Sequence, residues 1–243
     1  MIRIGCSGWN YYHWRGRIYP SSGSTGKWLS IYAEQFDTVE VNATFYRLPR
    51  ATAVERWAVE TPEGFCFAVK GSRYLTHIRR LRAPAEGLGR FESHIAPLRR
   101  ADKLGPVLWQ LPGNFRRDDE RLEHFLSRLA PGRHAFEFRH PSWFVEDVYS
   151  QLRQHEVALV VADRGPGAPP EWIETTDWAY VRFHHGRGRR GNYSRRELHD
   201  WAERLQGASG DVYAYFNNDW EGFAVENART LAGLLDRTVA AGS

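Results

Sequence analysis

The hydrophobic positions of the chain fall into short runs that alternate with segments of helical spacing. Each run is rich in β-branched and aromatic residues and is bounded by turn-forming residues, which is typical of buried strands. Eight such runs occur, and they begin at Ile2, Thr38, Phe65, Val107, Ala135, Ala158, Tyr180 and Val212. The pattern therefore predicts eight strands spread over the whole chain.

The segments between these runs carry apolar residues at the spacing of one helix face. One set with spacing i, i+3, i+4, i+7 is Leu29, Tyr32, Ala33 and Phe36, and another is Leu122, Phe125, Leu126 and Leu129. Strands that alternate with helices predict a parallel sheet. Eight such units in 243 residues match an α/β fold of the (β/α)8, TIM-barrel type. Because no linker or low-complexity tract interrupts the pattern, residues 1–243 are predicted to form a single domain.

Local signals refine the helices. The proline-rich segment GPGAPPEWIETT between the sixth and seventh strands predicts irregular structure or short helices only. Pro97 is expected to interrupt the helix that precedes the fourth strand. Thr52 and Ser194 are each followed three residues later by a glutamate, which predicts a capping box at the start of two helices.

The fifth strand, in AFEFRH, carries two opposite charges inside an apolar run. Glu137 and Arg139 fall on one face of it, because strand side chains alternate between faces. Each buried ion loses hydration worth several kcal/mol, roughly, so a face that keeps both needs a reason. In a closed barrel, alternate side chains point to the axis, and active sites lie at the carboxyl ends of the strands. This strand is therefore predicted to face a functional site.

Several segments resemble, in order, the sequence signatures of one protein family. They are SGWNYYHWRGRIYP, TVEVNATFYRLP, FCFAVKGSRYLTH, LGPVLWQLPGNF, EFRHPSW, YVRFHH and VYAYFNND. The chain is similar to the YecE-like family, a bacterial and archaeal group of unknown function, along almost its whole length. The resemblance implies a TIM-type barrel. It implies no reaction and no catalytic residues.

Polar residues at the strand ends supply the candidate chemistry. Glu137 and Glu40 are predicted to transfer protons, with Asp163 in support. The predicted ligand-binding residues are Arg139, Arg182, Lys70, His184, Gln110, Asn42, Asn217 and Tyr46. The three cations among them suit an anionic ligand. The alternative is an ion network that closes the barrel mouth without a ligand.

The loop after the seventh strand, HHGRGRRGNYS, is a second candidate for anion binding. Arg187, Arg189 and Arg190 are predicted to contact a phosphate, because loops at this end of the fold commonly do so. The alternative is a solvated loop enriched in arginine by genome composition, since all but three of the 33 basic residues are arginines.

No metal or other cofactor is predicted. Glu40, Glu137, Asp163 and His184 could in principle share a divalent ion, but zinc sites usually contain more histidines. The nearby cations would also compete for the same carboxylates. The formal net charge of +4 supports an anionic partner only weakly.

The two cysteines lie inside apolar runs, which favours a reducing compartment over a disulfide scaffold. No apolar run reaches membrane-spanning length. We therefore expect a cytoplasmic protein without membrane contact; the oligomeric state stays open.

Two functional hypotheses follow. The first is an enzyme, a hydrolase or an isomerase, that acts on a ligand bearing a phosphate or sugar phosphate. The second is a non-catalytic nucleic-acid-binding protein that uses basic rim loops, among them HIRRLR from His77 to Arg82.

Overall fold

Strands and helices alternate along the computed structural model, which describes residues 1–165, 167 and 170–241. The strands are β1 (Ile2–Cys6), β2 (Thr38–Val41), β3 (Cys66–Lys70), β4 (Leu104–Gln110), β5 (His134–Glu137), β6 (Val157–Leu159), β7 (Val161–Asp163), β8 (Trp178–Phe183) and β9 (Asp211–Phe216). The α-helices are α1 (Trp28–Ala33), α2 (Ala43–Tyr46), α3 (Ala51–Glu60), α4 (Pro84–Arg100), α5 (Asp119–Leu126), α6 (Glu146–Gln154), α7 (Arg195–Gln206) and α8 (Phe223–Ala241).

The strands form two sheets. One has four strands in the order β1-β9-β8-β7, and the other has five in the order β2-β3-β4-β5-β6. The ladders β1–β9, β3–β4, β4–β5, β5–β6, β7–β8 and β8–β9 are all parallel. Parallel neighbours need crossover connections, and α4, α5, α6 and α7 lie in the connections β3–β4, β4–β5, β5–β6 and β8–β9.

The contacts within the chain group it into two compact units. The first unit consists of Met1–Val39, Val161–Trp172 and Asp177–Ser243, and the second of Glu40–Val160 and Ile173–Thr176. The single domain expected from the sequence stays a prediction.

The run ALVVAD, predicted as one strand, forms two. β6 ends at Leu159 and β7 begins at Val161. The amide of Val160, between them, donates to the carbonyl of Phe136 on β5 at 2.9 Å. The division at Val160 explains why the described residues contain nine strands where the sequence predicts eight.

Two helix predictions are wrong and one is confirmed. α4 continues through Pro97, because the helix is held by its buried apolar face, which includes Phe91 and Leu98. α3 begins at Ala51 with Arg50 as its N-cap, so Thr52 lies inside the helix and does not cap it. Ser194 and Glu197 form the predicted capping box at the start of α7.

The segment between β7 and β8 contains no helix in its described residues. Residues 166, 168 and 169 of this proline-rich segment lie outside the described residues. Across all described residues, no helix is both long enough and apolar enough to cross a lipid bilayer.

In the second unit, the five-stranded sheet has one aromatic and one polar face. Trp109 and Phe136 are in register on β4 and β5, and both contact Phe125 of α5. That face is therefore the one that the helices cover. Because side chains alternate, Gln110 and Glu137 lie on the opposite face.

The four-stranded sheet of the first unit shows the same division. Phe183 of β8 is in register with Phe216 of β9 and packs on Trp201 of α7, which marks the helix-covered face. Arg182 and its register partner Tyr215 lie on the opposite face. Each sheet thus carries charged groups on the face that its helices do not cover.

Candidate functional site

Glu137 is the centre of a hydrogen-bonded group at the end of β5. Its side chain is 1% exposed, and it lies in register with Gln110 of β4. Gln110 Nε2 donates to Glu137 Oε2 at 2.9 Å, and Arg139 Nε donates to Glu137 Oε1 at 3.2 Å. Each carboxylate oxygen therefore has a donor, and Arg139 is a cation. The contact brings Glu137 and Arg139 together, as the sequence predicts, although β5 ends at Glu137 and Arg139 lies just after it.

Arg139 connects the buried carboxylate to the outside. Its side chain is 41% exposed while its partner Glu137 is almost fully enclosed. Arg139 follows β5, and a Cβ built on Gly113, in the loop after β4, would lie 3.9 Å from its Cβ. The guanidinium thus has one side on the carboxylate and another side open to a ligand.

Lys70 ends β3 and rests on an aromatic ring. Its Nζ lies 4.3 Å from the centroid of the Phe45 ring, within the range of a cation–π contact. The Thr44 hydroxyl lies 2.6 Å from the Lys70 carbonyl and 3.1 Å from the Val41 carbonyl, which fixes the start of α2 at the ends of β2 and β3. Tyr46, next along α2, contacts Phe45 edge to face and is 78% exposed.

His77 joins this group and was not among the predicted site residues. It lies in a single π turn, Tyr74–Ile78, and meets the Phe45 ring edge to face at 4.9 Å between centroids. Its Nδ1 is 2.9 Å from the hydroxyl of Thr76. Burial, followed by the positive charges of Lys70, Arg73, Arg139 and Arg80, lowers the pKa of His77 to about 4. At neutral pH the imidazole is therefore uncharged.

Glu40 and Asn42 lie two residues apart at the end of β2. Glu40 is fully buried on β2. Asn42 is the residue before α2, and its Oδ1 is buried without a hydrogen-bond donor among the described residues. An unused buried acceptor is costly unless something donates to it, so Asn42 suits a ligand hydroxyl.

In the first unit, the strand ends bring together His184 and Asn217. Asn217 Nδ2 lies 3.1 Å from His184 Nδ1, so the amide donates to that nitrogen and the imidazole carries its proton on Nε2. Arg182 is 1% exposed and shares its sheet face with Tyr215. The predicted roles of these three polar residues stay predictions.

Asp163 is placed on a different face from the one expected. It is in register with Phe183, so its side chain points to α7, where its Oδ2 accepts from Trp201 Nε1 at 3.1 Å. Arg182 is in register with Ala162 and points the other way. Strand alternation therefore separates Asp163 from Arg182, and Asp163 does not join a shared polar face in this sheet.

Two arginines of the exposed loop after β8 have partners within the protein. Arg187 donates its amide to Glu197 and its guanidinium to the Gly167 carbonyl. Arg190 pairs with Glu221 at 3.2 Å and lies over the Trp220 ring at 4.8 Å. Phosphate binding by Arg187, Arg189 and Arg190 stays a prediction, and a phosphate would have to compete with these partners.

A second group missed from the sequence surrounds Asp219. Trp14 Nε1 donates to both of its carboxylate oxygens at 3.0 and 3.1 Å, and His13 Nε2 lies 2.8 Å from Oδ2. The signal was available, because Asp219 ends the polar run after β9 in VYAYFNND.

Within the part of the chain that the structure describes, no three His, Cys, Asp or Glu side chains lie close enough to hold one ion. Cys6 and Cys66 are buried and unbridged.

Sequence comparison identifies relatives across nearly the full chain. A family described as "Protein of unknown function DUF72" matches residues 3–242. The UPF0759 protein YunF of Bacillus subtilis (strain 168) is 31% identical over 272 residues, covering 97% of this chain and 95% of that protein. The UPF0759 protein YecE of Escherichia coli (strain K12) is 33% identical over 174 residues, covering 68% of this chain and 60% of that protein. The resemblance read from the sequence motifs is confirmed.

Structure comparison agrees. The crystal structure of a DUF72 family protein from Thermotoga maritima MSB8 has a TM-score of 0.86 and 32% identity, covering 97% of this chain and 99% of that chain. A crystal structure of D-psicose 3-epimerase has a TM-score of 0.52 and 13% identity, covering 95% of this chain and 97% of that chain, which shows a shared fold alone. The α/β fold of TIM-barrel type predicted from the sequence is confirmed.

Proposed function

The chain belongs to the DUF72 family of proteins of unknown function, and we propose that it is an enzyme acting on an anionic substrate at the ends of β3, β4 and β5. The substrate carries a phosphate or sugar phosphate, and the reaction is hydrolysis or isomerisation. The observation that carries the proposal is the arrangement of Glu137, enclosed and held by Gln110, with the half-exposed Arg139 as its link to the outside.

The arrangement suits acid–base chemistry next to a bound anion. Arg139 and Lys70 supply positive charge for the substrate anion, and preorganised charge of this kind stabilises a transition state without reorganisation. Glu137 accepts the proton, either from a carbon beside a carbonyl or from an attacking water. Gln110 holds the carboxylate in place, and the unused acceptor of Asn42 receives a substrate hydroxyl.

A structural role alone explains the cluster less well. An ion pair inside a protein is often replaceable by apolar residues without loss of stability. The opposite, helix-covered face of the same sheet is packed by aromatic rings, among them Trp109 and Phe136. The chain therefore keeps charge on one face and uses apolar packing on the other, which favours a chemical role for the charged face.

Turnover by the Glu137→Gln variant tests the proposal. The assay incubates purified protein with a panel of phosphomonoesters and sugar phosphates and follows each reaction by ³¹P and ¹H NMR. We expect wild type to turn over at least one compound and Glu137→Gln to lose about 10²-fold or more of that rate, the usual scale of general acid–base catalysis. Glu120→Gln, which removes the charge of an exposed glutamate on α5, is the matched control and should retain the rate. Undiminished turnover by Glu137→Gln would contradict the assignment.

The nucleic-acid hypothesis has one observation in its favour. Tyr46 and Tyr74 are 78% and 51% exposed, and each is followed or preceded by an exposed arginine, Arg47 and Arg73. Exposed rings beside cations suit base stacking and backbone contact. Affinity for single-stranded DNA that falls steeply with salt, and is unchanged in Glu137→Gln, would favour this second function over the first.

A further inference from the structure

The segment after β3 has an unusual backbone. It begins with the π turn Tyr74–Ile78. The π geometry is rare and is frequently found at functional sites. Three non-glycine residues then adopt left-handed conformations: Arg80 at φ +48°, Leu81 at +65° and Ala83 at +43°. Such conformations are strained for residues that carry a side chain, and they persist only where the surroundings hold them. This segment therefore keeps a strained backbone at a cost in stability, and that backbone fixes the positions of its side chains.

The strained segment is tied to the loop after β4. Leu81 is fully buried and anchors the backbone, while Arg80 Nη2 donates to Asn114 Oδ1 at 3.2 Å. Asn114 follows Gly113, which lies beside Arg139. The segments after β3, β4 and β5 thus bring Arg80 and Arg139 to one place.

We propose that Arg73, Arg80 and Arg139, with Lys70, form a subsite for a tetrahedral dianion of the phosphate class, and that filling this subsite is coupled to protonation of His77. The inference rests on the proposed function, because it assigns the group that holds the anionic part of the substrate. It goes further by naming Arg73, Arg80 and His77 and by making anion binding dependent on pH.

The charges around His77 come from more than one element. Lys70 ends β3, Arg73 and Arg80 flank the π turn on its own segment, and Arg139 follows β5. Arg139 is paired with the carboxylate of Glu137, and Arg80 donates to the side chain of Asn114.

Two further contacts of the π turn involve uncharged groups. α2 presents the ring of Phe45, with Tyr46 behind it. α4 approaches through Gly87, beside Leu75 and Tyr74. His77 therefore faces mostly positive charge.

The direction of the coupling follows from these charges. Burial and the four cations keep the imidazole neutral in the free protein, with its pKa near 4. A bound dianion offsets the cations and favours the charged imidazolium, so it raises the pKa of His77. By linkage, the anion binds more tightly as the pH falls from neutrality towards 4, because protonated His77 adds a further positive charge.

Sulfate is the probe that tests the proposal, because it stays a dianion across this pH range and phosphate does not. The His77 ring is followed by ¹H–¹³C NMR from pH 3.5 to 8, with its resonance assigned from the spectrum of His77→Gln. At saturating sulfate we expect the midpoint of His77 to rise by about one pH unit or more, which corresponds to about tenfold tighter binding at low pH. An unchanged midpoint at saturating sulfate, or no sulfate binding, overturns the proposal.

Charge-neutralising variants give an independent readout. Arg73→Gln and Arg80→Gln should each weaken sulfate binding and raise the His77 midpoint of the free protein. Arg196→Gln removes an exposed arginine on α7 and should change neither. If Arg73→Gln and Arg80→Gln both bind sulfate as tightly as wild type does, the assignment of the subsite is wrong.

The two proposals fail separately. If turnover depends on Glu137 but the titration midpoint of His77 does not change with sulfate, the proposed function stands and the subsite is refuted. A sulfate-dependent His77 midpoint in a protein that turns over no compound of the panel would leave the subsite standing and remove the proposed reaction.

Discussion

Replacing Glu137 with leucine probes the hydrogen bonds that define the site. Leucine has a similar volume but cannot accept a hydrogen bond, so two donors lose their acceptor. The Gln110 amide is 6% exposed, and leaving a buried donor unsatisfied costs about 1–3 kcal/mol. Arg139 is half exposed and reaches water, so its lost pair contributes only about 0–1 kcal/mol. We expect Glu137→Leu to lower the free energy of unfolding by about 2 kcal/mol, within a range of about 1–4.

Two further variants isolate the cause. Glu137→Gln keeps an acceptor for Arg139, and Gln110 can turn its amide to accept from the new side chain, so this variant should lose about 1 kcal/mol or less. Adding Gln110→Leu to Glu137→Leu removes the stranded donor. Replacing both partners by apolar groups is close to neutral, so the double variant should regain most of the loss.

Urea unfolding followed by both circular dichroism and tryptophan fluorescence supplies the free energies, provided that the two probes coincide and the m-value is unchanged. A Glu137→Leu protein as stable as wild type would refute the reasoning. The reasoning would also fail if the double variant lost as much free energy of unfolding as Glu137→Leu and Gln110→Leu lose separately, added together. The two side chains would then be uncoupled.

Three other predictions concern the scaffold. Gly71→Ala should cost about 1–3 kcal/mol, because the added methyl would overlap the buried ring of Trp109; thermal unfolding measures this, and an unchanged melting temperature would contradict the packing. Ser194→Ala should lose about 1 kcal/mol by removing the α7 cap, and chemical unfolding would contradict the cap if the midpoint stayed the same. Burial raises the pKa of the Cys6 thiol, so at pH 8 an aromatic disulfide reagent should label Cys6 and the buried Cys66 only after urea unfolding. Rapid labelling of the folded protein would argue against that burial.

The sequence predicted those features of the site and the fold that depend on residues close together in the chain. In AFEFRH, charged and aromatic residues alternate, which predicts that Glu137 and Arg139 lie on the same side. The two side chains do meet, although Arg139 lies just after the end of β5. Gln110 and Glu137 were both placed at strand ends from the sequence, but their register is seen only in the structure. The capping box at Ser194 is equally local, since both partners lie within one turn.

Asp163 shows where the pattern fails. Leu159, Val160 and Val161 precede it without a polar residue, so the run carries no alternation from which to assign a face. The face became visible only from the register of Asp163 with Phe183 and from its contact with Trp201.

Backbone strain was also invisible in the sequence. Nothing in HIRRLR indicates that Arg80 and Leu81 adopt left-handed conformations, which most sequences reserve for glycine. From the sequence alone, without knowledge of these conformations, His77 and Arg80 would be assigned to a solvated basic patch. Pro97 illustrates the reverse case, in which tertiary packing of α4 overrides a local helix-breaking signal.

The central claim is that the ends of β3, β4 and β5 bind an anion next to a catalytic carboxylate. The most direct test is a crystal structure of the protein, from crystals grown without added ligand, in which the electron density beside the Arg139 guanidinium is examined. We expect a phosphate, sulfate or phosphorylated metabolite held by Arg139, with the Glu137 carboxylate facing it. A closed cluster in which Arg139 contacts only protein carboxylates, with no ligand and no water beside it, would contradict the claim.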